Sequence, residues 1–183
     1  MSQTNNTRGK SLAAIVGTVA AAALYVITPK FENEKLVTYR DVGGVLSYCD
    51  GATENAEWGR TYTKAECQAQ LDKDLAKHAE GMMKCIKVEL TTGQKIAFTD
   101  FTYNLGVGTF CKSSIAAKAN ANDLPGSCNA LLAYDGVNMI DKGPDGRPVL
   151  DANGNAKKVH VRFNGLYKRR VAERDICLKR DEP

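Results

Sequence analysis

The chain has a single tryptophan, only two histidines, His78 and His160, and no pair of cysteines in CxxC spacing. A zinc site built from such residues is therefore not expected, nor is any other metal site. Net charge is only +4 over 183 residues. That is too little and too scattered for a nucleic-acid footprint, although it favours an anionic polymer surface. No internal repeat or low-complexity segment divides the chain. What remains is an ordinary globular composition, 43% apolar, which predicts one compact domain with an appendage. The six cysteines are Cys49, Cys67, Cys85, Cys111, Cys128 and Cys177. Their even number predicts a disulfide framework made in an oxidising compartment, but their spacing does not choose among the pairings.

The appendage is N-terminal. Residues 1–10 are polar and carry Arg8 and Lys10 without an acid, and residues 11–28, SLAAIVGTVAAAALYVIT, carry no charge at all. As a helix this run reaches about 27 Å, close to the thickness of a bilayer core. The basic residues before it predict that the N-terminus stays inside while the rest of the chain goes out. Its Ala, Gly and Thr content makes insertion marginal. Three readings compete: a signal peptide cleaved near Ala20–Ala23, a permanent anchor, and an anchor that can leave the membrane.

Only Pro29, Lys30 and Phe31 separate this run from Glu32, the first of three residues that could do chemistry together. A helix is expected to end soon after Glu32, followed by a turn at Gly43-Gly44 and a hairpin arm over Val45–Cys49. Glu32 would then face the loop-borne Asp41 and the hydroxyl of Ser47. Glycoside hydrolysis needs such a set: a protonated carboxyl for the leaving oxygen, a second carboxylate for water, and a group to hold that water. Glu34 rivals Glu32 but would lie on another helix face.

Phe31-Glu32, Tyr39-Arg40-Asp41, Gly44-Val45, Cys49, Gly51 and Thr53 resemble the signature of the T-even and lambdoid phage lysozymes, glycoside hydrolase family 24, and most of all lambdoid endolysins with a signal-anchor-release segment. The chain departs from that frame at Asn33 (usually Gly), at Ser47 (usually Thr), and at Asp50 and Ala52 (usually an aromatic residue and His). The run Tyr103-Asn104-Leu105-Gly106-Val107-Gly108, then Phe110, is similar to the family's YNxGxGxF segment. Gly165–Glu173 is similar to its closing GLxxRRxxE helix.

Between these runs, Thr63-Lys64-Ala65-Glu66 has capping-box form and opens an amphipathic helix with Leu71, Leu75, Ala79 and Met82 on its apolar side. His78 on that helix is given no chemistry. Trp58 is expected to pack on the domain rather than to stack on a sugar. A buried helix is expected within 93–108. Residues 135–161, with their PDG and NG turn signals, predict an inserted hairpin or long surface loop. The DANGN stretch lacks a full calcium ligand set and is read as a turn.

The resemblance implies an α+β, lysozyme-like fold with a small β-hairpin lobe and a mostly helical lobe. The domain boundaries would be 1–28 for the anchor segment and 29–183 for the catalytic part. The substrate would be peptidoglycan glycan strands, cut at the β-1,4 bond with inversion, the two carboxyl groups lying about 6.5–9.5 Å apart. Glu32, Asp41 and Ser47 would be catalytic; Tyr103, Asn104 and Arg169 would touch substrate. Arg169 or Arg170 could instead be structural, paired with Glu173. The implied disulfides are Cys49–Cys67, Cys128–Cys177 and, by addition, Cys85–Cys111. No cofactor, nucleic acid or oligomeric partner is expected. The protein would sit in the host inner membrane through residues 11–28, facing the periplasm, and act there as a monomer after release. Two alternatives stay open, a lytic transglycosylase and a non-catalytic wall-binding protein.

Overall fold

The computed structural model describes residues 10–32, 34–40 and 44–179. The apolar run does not form one helix. Gly17, at φ +95°, divides it into α1 (Leu12–Val16) and α2 (Thr18–Ile27), and the Ser11 side chain caps α1 by accepting the Ala14 N–H. An L side chain is disfavoured at that φ, so the break is written at the glycine. No helix among the described residues is long and apolar enough to cross a membrane. The run packs on the body: Leu12, Val16, Ala20, Ala21 and Leu24 form one buried cluster with Leu71, Leu75, Ala79 and Ile96. Its far end, a single 3-10 turn over Thr28–Lys30, delivers the chain to Glu32.

A small antiparallel hairpin follows, β1 (Lys35–Arg40) with β2 (Leu46–Cys49), in the register Tyr39↔Ser47 and Arg40↔Leu46. Tyr48 stacks on Tyr62 with ring centroids 4.1 Å apart. Trp58 does not pack on the domain as expected. It is 71% exposed, with the Arg40 guanidinium 5.6 Å from its ring centroid. The connection that carries it makes only turns, which leave no apolar wall for an indole to cover.

The helical lobe begins at α3 (Lys64–Cys85), where Thr63 and Glu66 complete the expected capping box. A second capping box, Thr91 with Gln94, opens α4 (Thr92–Leu105). Helix α4 is central: Ile96, Ala97, Phe98, Phe101 and the polar Thr99, Asp100 and Thr102 are all buried. Gly106, at φ +84°, closes it and starts α5 (Val107–Cys111), followed by α6 (Ser114–Asn120) and α7 (Leu124–Ala130). Phe98, Phe101, Phe110, Ile115 and Leu131 make the main core.

Residues 136–162 form the expected hairpin, β3 (Gly136–Ile140) against β4 (Lys158–Arg162). Asp135 fixes its base, its carboxylate meeting His160 at 2.7 Å and Arg162 at 2.6 Å. Helix α8 (Asn164–Cys177) closes the domain against α4. The disulfides are Cys49–Cys67, Cys85–Cys111 and Cys128–Cys177, the pairing the resemblance implies.

Leu24 is fully buried between α2 and the body. Leu24→Ala should cost the folded domain about 2–5 kcal/mol through lost burial and the cavity left behind. Urea unfolding of the soluble protein reads this, and an unchanged midpoint would show that α2 is not part of the cooperative unit.

Candidate active site

The site is built around one buried guanidinium. Arg169, on α8, is 2% exposed. Its Nη1 donates to Glu32 Oε1 at 2.6 Å, its Nε to Asp100 Oδ2 at 2.9 Å and its Nη2 to Asp100 Oδ1 at 3.0 Å. The pairing with Asp100 is two-pronged, which fixes the fork as well as the charge. Thr28, at the end of the N-terminal segment, donates its hydroxyl to the same Asp100 Oδ1 at 2.7 Å. Glu173 lies 3.4 Å from Arg169 and 2.9 Å from Arg170, and Arg170 donates to Asn104 Oδ1 at 2.8 Å. Glu32, Asp100, Arg169, Arg170 and Glu173 thus come from the segment after α2, from α4 and from α8 to one point.

Five charged side chains in a dry place must settle their protons among themselves. Burial pushes Glu173 well up from the ordinary range, and the neighbouring Asp100 adds to that. Burial opposes ionisation of Asp100 too, but Arg169 and the hydrogen bonds from Glu173, Arg169 and Thr28 hold it below the usual range. Arg169 stays charged despite burial, because Asp100 and Glu32 raise it. A neutral Glu173 leaves the Asp100 carboxylate as the buried countercharge of Arg169.

Glu32 is the member of this group that opens to solvent, its side chain 22% exposed. It lies at a cleft of about 400 Å³ between the hairpin lobe and the helical lobe, where Asp50–Glu54 form one wall and Asp74, Lys77, His78, Tyr103 and Asn104 the other. The Tyr103 hydroxyl crosses between the walls and donates to the Asp50 carbonyl at 2.8 Å. Burial and the nearby carboxylates of Glu32, Asp74 and Asp50 push that phenol up, so it remains a donor. His78 is set by its own helix, Nδ1 lying 2.7 Å from the Asp74 carbonyl, and its ring meets Tyr103 edge-on at 5.5 Å.

Of the residues expected to touch substrate, Tyr103 and Asn104 line the cleft. Arg169 does not: it lies behind Glu32, its donors engaged by carboxylates. Ser47 is buried in β2, and its hydroxyl donates to the Val45 carbonyl at 3.3 Å. Asp41 falls outside the described residues. Sequence reasoning missed Asp74 and His78 as cleft residues, and Asp100 as the partner of Arg169. An acid flanked by Ile96, Ala97, Phe98 and Phe101 was the available signal for Asp100.

An acid at the mouth of a cleft between a small hairpin lobe and a helical lobe is the arrangement of a lysozyme-like fold. Solved structures that share the fold include the muramidase domain of SpmX from Asticaccaulis excentricus, with a TM-score of 0.71 at 20% identity over 86% of this chain and 96% of that one, and an endolysin from Escherichia coli O157:H7 phage FAHEc1, with a TM-score of 0.67 at 24% identity over 89% of this chain and 92% of that one. The family model described as phage lysozyme matches residues 29–173, and this chain belongs to that family. A relative from Bacteriophage PS119, named a SAR-endolysin, is 34% identical over 177 residues, which is 93% of each chain.

Arg169→Met should leave Asp100 buried without its cation and cost about 3–5 kcal/mol. It should also free Glu32 and lower turnover by about ten- to a hundredfold. Denaturant melts and murein turbidity assays read the two effects separately.

Glu173 gives a pH test. A carboxyl raised in the folded state makes the fold bind more protons than the unfolded chain. Its contribution is present below the unfolded value of about 4.3 and is lost as pH rises towards the folded value. Glu173→Gln removes that loss, so Tm of the variant relative to the parent should climb from pH 4 to pH 8 (about four units of scan). A difference constant with pH would mean that Glu173 is ionised in the fold.

Proposed function

We propose that this protein is an endolysin that hydrolyses the β-1,4 bond between N-acetylmuramic acid and N-acetylglucosamine in bacterial peptidoglycan. The observation that carries the reading is Glu32, held by a buried arginine at the mouth of a polar cleft in a phage lysozyme fold. Glu32 acts as general acid. It gives its proton to the leaving glycosidic oxygen as the bond to the anomeric carbon breaks. Asp41 takes the proton from the attacking water on the opposite face, and Ser47 holds that water. Tyr103 and Asn104 line the sugar path. The chain works as a monomer and without a cofactor.

The same reading gives residues 11–28 a second role. In the inner membrane they tether the enzyme on the periplasmic side and keep it off, and release switches it on. Thr28 supports this, because it ends the N-terminal segment and also bonds Asp100 behind the acid. A segment held in lipid would leave Asp100 without that donor and Glu32 three residues from the headgroups. The naming of the PS119 relative as a SAR-endolysin points the same way.

Glu32→Gln should abolish murein hydrolysis, while Glu34→Gln should leave it nearly intact; the reverse pattern would sink the assignment. Mass analysis of the products should find hydrated reducing ends. Anhydro-muramic ends would mean a transglycosylase instead. Membrane depolarisation of cells expressing the full chain should move it at full-length mass into the soluble fraction, together with the activity. A shortened chain with constitutive activity would remove the release mechanism and leave the catalytic roles standing.

A further inference from the structure

The wall of the cleft opposite α3 carries a carboxylate that the reaction does not use. Asp50 is 7% exposed, and among the described residues its Oδ1 has no hydrogen-bond partner. It lies at the tip of β2, where the Tyr48 N–H and C=O pair with Ala52 and the Gly51 N–H returns to the Tyr48 carbonyl. The preceding residue is tied to α3 by Cys49–Cys67, and Asp50's own carbonyl is held by Tyr103. The backbone there is therefore held, and because Oδ1 is itself closed to solvent, a donor in the cleft that Asp50 lines meets it by a turn of the side chain.

A buried carboxylate oxygen without a donor costs stability, and no described group offsets the cost at Oδ1. Lys64 lines a smaller cavity behind the hairpin with Asp50 and Glu34, yet it makes no bond to Oδ1. The cleft side adds Glu32, Glu54 and Asp74 against Lys77 and His78, so acids outnumber bases there. The missing partner is thus a donor, and a cationic donor fits best. Burial, with Glu34 and Glu32 nearby, raises Asp50 from the ordinary range, as expected of an acid awaiting a countercharge.

Resting on the muramidase reading above, we propose that Asp50 is a specificity-determining contact, accepting a hydrogen bond from the C2 nitrogen of a bound hexosamine and favouring the free amine over the acetamide. Every sugar of the proposed substrate carries nitrogen at C2. As an acetamide it offers one neutral N–H; deacetylated, it offers an ammonium. A charge-assisted bond to a desolvated carboxylate is the stronger of the two. The protein is therefore suited to murein in which some hexosamines have lost their acetyl groups.

The test is binding, so that it does not depend on turnover. Glucosamine and N-acetylglucosamine tetrasaccharides, the amines protonated, are titrated calorimetrically into Glu32→Gln and into Glu32→Gln/Asp50→Asn. Asp50→Asn should weaken glucosamine-oligomer binding by about 10- to 100-fold and N-acetylglucosamine binding by much less. Its Tm should hold or rise, because an unpartnered charge has gone. Should the Asp50→Asn variant fold poorly, Asp50→Ser carries the same comparison. An equal loss for both oligomers, or none for either, overturns the assignment, as does a fall in Tm that tracks the loss. Hydrolysis of native and chemically deacetylated murein by the unmutated enzyme separates the two claims: no cleavage of either defeats the muramidase reading, whereas cleavage of both with a ratio unmoved by Asp50→Asn defeats this one alone.

Discussion

The ion pair between Arg169 and Asp100 is the constraint on which the rest depends. A guanidinium cannot enter a protein interior alone, and a carboxylate in an apolar helix cannot stay there ionised without a cation. Each is the reason the other can be buried, and together they lock α8 onto α4 at one rotation and one height. The bond from Arg169 to Glu32 then places the acid. Both side chains of the pair are almost fully buried, and the Arg170 guanidinium beside them lies 4.7 Å from the Phe101 ring centroid. That dryness strengthens the attraction and makes any missing partner costly.

The N-terminal segment enters the same network from the other side. Thr28 is fully buried and donates to Asp100, so the end of α2 and the clamp behind Glu32 share an atom. On the proposed tethered state this gives release a local consequence. The apolar face of α1 and α2 that leaves the lipid is the face that meets Leu71, Leu75 and Ile96, and seating it returns Thr28 to Asp100. The Ala-rich composition suits both environments. Small side chains insert weakly, and they also let α2 lie close against α4.

What the sequence showed depended on how local the cause was. The capping box at Thr63 and Glu66 was legible because two residues three positions apart define it. So was the hairpin of 136–162, whose turn residues sit next to one another. The break at Gly17 was written in one residue but was overridden in the reading by the length and hydrophobicity of the run. Trp58 was misjudged because packing needs a wall, and the wall is decided by tertiary structure. Tyr103 and Asn104 were found through a family pattern, and the placement of Arg169 behind the acid needed the partner on α4, 69 residues away. The cysteine spacing alone could not choose pairs; resemblance could.

Asp50 shows why a cleft wall is built more firmly than its size requires. The turn that carries it has Cys49 at φ +50° and Gly51 at φ +89°, two residues outside the usual backbone regions, next to a buried acid whose Oδ1 has no hydrogen-bond partner among the described residues. Left to itself, such a turn would open and let water reach the carboxylate. The disulfide at Cys49, the Tyr48–Tyr62 stack and the Tyr103 bond each oppose that opening from a different direction. Local strain and an unmet charge persist only where surrounding structure over-determines them, and here three independent ties converge on three consecutive residues. The hairpin lobe is therefore a small lobe held stiff around one carboxyl group, and the unmet hydrogen bond at its Oδ1 is what the proposed ligand contact would supply.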